Sequence, residues 1–271
     1  MIDETLFEVG NFGVRWYSVM LLIAIAIAVY VFLREGKKFN FDDNFLFNLF
    51  FWTVVMGFVG ARTYYVIFNF NVYQNDIISI FKIWEGGLAI HGGILAGLLT
   101  IFLYCKKYNV KFLKIADMGV LPLLIGQAIG RWGNFFNHEA HGAATTFIKL
   151  KEAHIPEFVI NNMKIRETYY VPTFYYESIW CFVGAIIVLV LRRFKYVKVG
   201  NLTAFYLMWY SAGRFFIEKQ RTDSLMLGGI KVAQLVSVIL FMIGLGYTML
   251  LARESKFENL YNEKNTNKVS F

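Results

Sequence analysis

Four charged or titratable residues are conspicuous inside long apolar runs: Arg62, His91, Arg131 and Arg214. A charge inside a membrane segment costs roughly 2.5–3.5 kcal/mol on insertion scales, so such residues are functional candidates by default. Arginine presents a planar fork of donors that suits phosphate oxygens, and histidine can take up a proton near neutral pH. Arg131 opens the most polar stretch of the chain, "GRWGNFFNHEAHG", Gly130 to Gly142, at the edge of the apolar run "IADMGVLPLLIGQAIG". Gln127, Arg131, Asn134 and His138 follow i, i+4, i+7, i+11 and form one helical stripe; Gly126, Gly130 and Gly133 form a small-residue stripe beside it. Tyr210, Arg214, Glu218 and Arg221 repeat the same kind of spacing further on.

The elements that carry these residues are membrane spans. The chain of 271 residues is 57% hydrophobic and only 17% charged, where a soluble domain would approach a quarter. Apolar runs near the length needed to span a bilayer, about 20 residues, lie near 17–33, 45–68, 86–105, 115–135, 173–191, 200–217 and 232–252. The expected fold is an all-α integral membrane bundle of seven spans forming a single polytopic domain, 1–271. The only long hydrophilic segment, 138–172, is expected to be a small extracellular arm between spans four and five, too short to be stable alone.

Basic residues cluster in alternate loops: Arg34, Lys37 and Lys38; Lys106, Lys107, Lys111 and Lys114; Arg192, Arg193, Lys195 and Lys198; and a tail with Arg253, Lys256, Lys264 and Lys268. The beginning of the chain carries Asp3, Glu4 and Glu8. By the positive-inside rule the N-terminus is outside and the C-terminus cytoplasmic. The net charge of +8 then reports topology and not a nucleic-acid partner. The acidic leader argues against a cleaved signal peptide. Alternation of the spans brings Tyr17, His91, Arg131 and Arg214 to one outer-leaflet layer, with His91 about one and a half turns into its span. Two arginines at one depth repel unless an anion lies between them. The anion available there is a phospholipid phosphate, so the layer reads as a lipid-headgroup site reached sideways from the bilayer.

Structural readings compete at several positions. Arg62 can snorkel or pair with a neighbour. Arg214 and Glu218 can form an i, i+4 ion pair. His91 can be a satisfied interior histidine, although "HGGILAG" lets another backbone or a substrate approach closely. His138, Glu139 and His141 in "HEAH" lack the spacing of a metal-binding H-E-x-x-H helix, and no metal is expected. Cys181 lies among apolar residues, where a thiol stays protonated. Trp16, Trp84 and Trp132 near span ends suit an interfacial aromatic belt.

Four segments in order, "VRWYSVMLL", "KIWEGGLAIHGGILAG", "GRWGNFFNHEAHG" and "WYSAGRFFIEKQRTDS", closely resemble the prolipoprotein diacylglyceryl transferase family over most of the chain. The resemblance implies a seven-helix membrane transferase in the bacterial cytoplasmic membrane, with its site facing the outer leaflet. It would move the diacylglyceryl group of phosphatidylglycerol to the lipobox cysteine of a preprolipoprotein, with no cofactor. It implies catalytic roles for Tyr17, His91, Arg131 and Arg214. It implies headgroup binding by Arg131, Asn134, Asn137, Glu139, Gly142, Tyr210, Glu218 and Arg221. The family often reads His-Pro-Thr/Ser-x-Leu-Tyr-Glu before span five; here "VPTFYYE" puts Val171 and Tyr175 in place of the histidine and leucine but keeps Pro172, Tyr176 and Glu177. The opposing class is a transporter or channel using the same arginines as an anion site. It would often show repeats in corresponding halves, and the sequence shows no such symmetry.

Overall fold

The structure, a computed structural model, describes residues 5–9, 12–74, 76–82, 86–222, 224–253 and 259–263. Trp84, Asp3, Glu4, Lys256, Lys264 and Lys268 lie outside them. Along the chain the elements are β1 (Thr5–Val9), β2 (Phe12–Arg15), α1 (Trp16–Lys38), α2 (Asp43–Phe68), the short α3 (Phe70–Tyr73), a 3-10 turn (Ile77–Phe81) and α4 (Ile90–Lys107). There follow α5 (Phe112–Phe136), β3 (Ala144–Thr145), α6 (Phe147–Glu152), α7 (Glu157–Asn162), β4 (Lys164–Ile165), β5 (Thr168–Tyr170) and α8 (Thr173–Leu191). The last are α9 (Asn201–Gln220), β6 (Met226–Leu227), β7 (Ile230–Lys231) and α10 (Val232–Arg253).

The protein is a mostly helical integral membrane protein. Helices α1, α2, α4, α5, α8 and α10 are each long and apolar enough to cross a membrane. Helix α9, on the run expected to be the sixth span, has 20 residues but is not among them. Its polar stripe of Tyr206, Tyr210, Arg214 and Glu218 lowers its apolarity. Short strands make three small antiparallel sheets, β1-β2, β3-β5-β4 and β6-β7, which period-based reading does not detect at two to five residues per strand.

Contacts divide the chain into two compact units. One is built from the described residues of 33–115. Its long helices α2 and α4 cross through glycine: a Cβ on Gly60 would stand 2.7 Å from the Gly92 carbonyl oxygen, and one on Gly92 only 2.3 Å from that of Gly60. The glycines after His91 therefore admit another helix backbone. The Asp42 side chain caps α2 by accepting from the Asn44 amide at 2.6 Å. Arg62, buried in α2, donates Nε to Ile80 O (2.7 Å), Nη2 to Ser79 O (2.8 Å), and Nη1 to Gly86 O and Gly87 O (2.7 and 2.9 Å). Its guanidinium also lies 5.1 Å from the Tyr73 ring centroid. Arg62 is thus committed to folding the connection between α2 and α4.

The other unit holds the described residues of 1–32 and 116–263. The small-residue stripe of α5 packs on α1: Gly126 faces Ala24 and Ala28, and Gly133 lies under the Tyr17 ring. Helices α8 and α9 are joined by a reciprocal tryptophan clasp. Trp180 and Trp209 stack at 4.2 Å, and each indole N–H donates to the other's backbone carbonyl, at 2.8 and 3.0 Å. Gly213 and Gly184 make room; a Cβ on either would meet the opposing indole at 2.3 and 2.5 Å. Asp117, a carboxylate inside α5, accepts from the Gly200 and Thr203 amides (2.5 and 2.7 Å) and from the Thr203 hydroxyl (2.6 Å), capping α9 from a distance. The segment 138–172 is not independent: Leu150, Ile155, Val159, Ile160 and Met163 share one core with Phe135 of α5 and Phe174 of α8.

Candidate active site

Three helices of the second unit turn polar side chains to one place. From α5 comes Arg131, one turn after Gln127; from α8, Glu177, one turn before Cys181; from α9, Tyr206, Tyr210, Arg214 and Glu218 on successive turns. At the deeper level Gln127 Nε2 donates to the Tyr206 hydroxyl at 2.9 Å and Cys181 Sγ lies 3.8 Å from Gln127 Oε1. Tyr206 and Tyr210 stack at 5.6 Å, linking this level to the next. There Glu177 is the hub. Arg131 Nη2 reaches Glu177 Oε1 at 2.6 Å, Arg214 Nη1 reaches Oε2 at 3.2 Å, and the Tyr210 hydroxyl donates to Oε1 at 3.2 Å. Arg214 Nη2 also stands 2.7 Å from Glu218 Oε2, an ion pair without hydrogen-bond geometry.

The sequence pointed to a lipid phosphate as the anion between the two arginines; the structure places a protein anion there. Glu177 is that anion, and Arg131, Glu177, Arg214 and Glu218 sum to zero formal charge. The Glu177 side chain is only 4% exposed. A carboxylate so buried costs several kcal/mol in lost hydration and persists only when multiply paired. The arginine side chains are more exposed, at 24% and 18%. Each guanidinium has five donors; Arg131 spends one on Glu177. Sequence reading noted Glu177 only as a retained residue of the α8 segment. Its depth was available: it lies one turn inside the end of a span expected to begin on the outer side. Asp117 was passed over in the same way, an acidic residue in span four beside the more conspicuous Arg131.

The remaining expected site residues fall around this hub or elsewhere. The Tyr17 ring covers Gly133 and is 38% exposed. Beyond the end of α5, the Glu139 amide donates to Asn134 O (3.1 Å) and Asn137 Nδ2 to Glu139 Oε1 (3.4 Å), so these three form one tight turn. Asn137 Oδ1 and His138 Nε2 are buried within it without a hydrogen-bond partner. Gly142 donates its amide to Val171 O (2.8 Å) and bridges to the backbone at Arg221; a Cβ there would stand 2.9 Å from Gln220 O. It joins the signature, the end of the arm and the end of α9. Lys231 closes the same region, donating to Glu218 O and Arg221 O, both at 2.7 Å.

His91 belongs to the other unit. Helix α4 begins only at Ile90, after Gly86 and Gly87 with φ of +92° and +76°. His91 therefore sits in the first turn and not one and a half turns into a helix. It is exposed, with its ring 6.2 Å from that of Tyr64. Among the described residues, no group of three or more His, Cys, Asp or Glu side chains is placed to hold a metal ion.

Comparison with known proteins covers nearly the whole chain. Residues 4–250 match the family described as prolipoprotein diacylglyceryl transferase. The chain is similar to proteins named phosphatidylglycerol–prolipoprotein diacylglyceryl transferase from several bacteria. It is 43% identical to that of Staphylococcus saprophyticus over 258 residues, 95% of this chain and 91% of the relative. It is 42% identical to that of Listeria innocua over 260 residues, 96% and 93%. It is 41% identical to that of Ligilactobacillus salivarius over 242 residues, 89% and 90%. Agreement this long takes in the helices that carry the arginines and the arm and α8 between them, and on it the chain belongs to the prolipoprotein diacylglyceryl transferase family.

Proposed function

We propose that this protein transfers the diacylglyceryl group of phosphatidylglycerol to the lipobox cysteine thiol of a preprolipoprotein, in the bacterial cytoplasmic membrane. The observation that carries the reading is the pair of partly exposed arginines, Arg131 on α5 and Arg214 on α9, fixed by one buried carboxylate. The names of the relatives supply the substrates, phosphatidylglycerol and a prolipoprotein. In the proposed topology α9 crosses as the sixth of seven helices, the N-terminus is outside, the C-terminus is cytoplasmic and the arm 138–172 is extracellular. The site then faces the outer leaflet, where lipid enters sideways.

The chemistry asks for what these residues offer. The substrate thiolate attacks the glycerol carbon that bears the phosphate; a C–S bond forms, the C–O bond to phosphate breaks and glycerol phosphate leaves. The phosphodiester has one negative charge and the departing monoester gains a second. Arginine forks aimed at that phosphate stabilise the gain, the larger effect in a site of low dielectric. Glu177 and Glu218 hold the forks in place, and Tyr210 fixes Glu177. Asn134, Asn137, Glu139, Gly142 and Arg221 shape the headgroup end, and Tyr17 flanks it over Gly133. A free thiol has a pKa near 8.5, so a proton acceptor speeds the attack at neutral pH; His91 is assigned that role. No nucleophile of the enzyme is required.

The test is direct. Purified protein, phosphatidylglycerol and a lipobox peptide should yield a peptide heavier by one diacylglyceryl group, resistant to the treatments that cleave thioesters. Folded protein that gives no such product would refute the reaction. A product formed equally well without phosphatidylglycerol would refute the donor.

A further inference from the structure

The arm carries exposed apolar side chains. On α7, Phe158 is 56% exposed; on α6, Ile148 is 67% exposed, next to Lys149 and Lys151. Taken as an extracellular domain in water, this would be an unexplained patch. The position of α7 along α5 removes the difficulty. The Phe158 ring is stacked on Trp132 at 6.2 Å and 15°, and Trp132 lies four residues before the end of α5. Two further ties fix the depth. Asn162 Nδ2, at the other end of α7, donates to Phe135 O at 3.1 Å, and Val159 and Ile160 are fully buried in the core shared with Phe135 and Phe174. So α7 cannot lift away from the last turn of α5.

Helix length gives the level. Helix α5 has 25 residues, about 37 Å at 1.5 Å per residue, against a hydrocarbon core of about 30 Å. A centred helix therefore projects only about 3–4 Å at each end, roughly two residues. Trp132 sits below that projection, at the edge of the hydrocarbon, and the ring stacked on it sits there too. Tryptophan favours this level. The open face of Phe158 then meets acyl chains, and the nearby lysines can reach lipid phosphates while their stems stay apolar.

We infer that α7 is an interfacial foot: Phe158 inserts into the acyl edge of the bilayer and seats the arm on the membrane beside the site. The occupant of the apolar face is lipid. The inference needs only that α5 spans the membrane; it does not depend on the reaction proposed above or on which side the arm lies.

The experiment uses the full chain in phospholipid nanodiscs. Cys105 and Cys181 are both buried, so single fluorophores can be placed at Phe158→Cys and, as a control, at Arg166→Cys in the exposed turn between β4 and β5. An interfacial element sits about 5–10 Å into the headgroup–acyl boundary, so lipid bearing a nitroxide on the upper acyl chain should quench position 158 about threefold more than 166. Aqueous iodide should give the reverse order. Equal iodide quenching at both positions would place Phe158 in water and overturn the inference. Protection of position 158 from both quenchers would mean that protein covers it, and would overturn it equally. The unmodified protein gives an independent reading: phospholipid with a photoreactive diazirine on the upper acyl chain should label α7 and leave residues 166–167 unlabelled. Absence of label on α7 would also reject the foot.

Discussion

Glu177 changes what the two arginines can do. Without it, Arg131 would lose its carboxylate partner, Arg214 would be held by Glu218 alone, and an arriving lipid phosphate would have to bring the two together. With it, they are oriented in advance, and in the proposed reaction the phosphate would engage donors already in position. Arg131→Ala and Arg214→Ala should each abolish measurable transfer while leaving the protein inserted and folded. Lysine at either position should rescue poorly, because one ammonium cannot serve Glu177 and a phosphate in the same geometry. Full turnover by either alanine variant would remove that arginine from the mechanism. Glu177→Gln should behave differently: it removes a negative charge, so lipid affinity holds or rises, while kcat falls by about 10²-fold as the forks lose their register. A rise in KM with unchanged kcat would show Glu177 to be a lipid contact instead. His91→Gln should slow transfer strongly at neutral pH and recover part of the rate as pH approaches the thiol's own pKa near 8.5. An unchanged pH profile with weakened lipid binding would make His91 a packing residue beside Tyr64. The sequence made Arg131, Tyr210, Arg214 and Glu218 visible because each repeats at helical spacing in an otherwise apolar run. Glu177 and Asp117 have no such periodic companions, and only their pairing in space reveals them.

Geometry at the scale of helices depends on close approach. The Trp180–Trp209 clasp lies within one turn of both Glu177 on α8 and Tyr210 on α9, so it sets the registry in which those side chains meet. Gly213→Leu would drive a side chain into the Trp180 ring, whose atoms stand 2.3 Å from where a Cβ would be. Overpacking of this kind typically costs about 1–3 kcal/mol. Here it should also separate Arg214 from Glu177, so transfer falls further than the loss in thermal stability accounts for. Gly228→Ala, in the β6–β7 turn with nothing within 4 Å of a Cβ, is the control for glycine replacement away from the clasp; its positive φ should cost stability without moving the site. Helices were legible in the sequence because hydrophobic runs are long, and their observed ends differ from the expected ones by a few residues. The start of α4 was misplaced because Gly86 and Gly87 are apolar in composition but turn the chain. Helix α9 was expected as the sixth span, and the polar stripe legible in it at helical spacing is what builds the site.

Distribution of charge over the whole molecule admits two explanations. Helix dipoles favour cations at every helix C-terminus, by about 0.3–1 kcal/mol each. The positive-inside rule favours them only on the cytoplasmic side. The helix ends discriminate between the two. Basic residues occupy the last turn of α1 (Lys37, Lys38), α4 (Lys106, Lys107) and α10 (Arg253), and Arg192 caps α8. Helices α2 and α5 have none in their last turns. A dipole acts alike on all six, so the pattern fits the proposed topology, in which α2 and α5 end outside. Lys219 in the last turn of α9 is the exception, beside Glu218 and the arm junction at Gly142 and Arg221. Reporter fusions settle the matter. A reporter active only in the cytoplasm should be active when joined after Lys107 and after Lys195, and silent after Lys151. A reporter active only outside should give the opposite pattern. Cytoplasmic activity after Lys151 would put the arm and the end of α5 on the inner side, away from the outer-leaflet lipid. Matching activity after Lys107 and Lys151 would mean that α5 does not cross at all. Either result would leave Arg131 and Arg214 paired through Glu177 but deny them the substrate assigned to them.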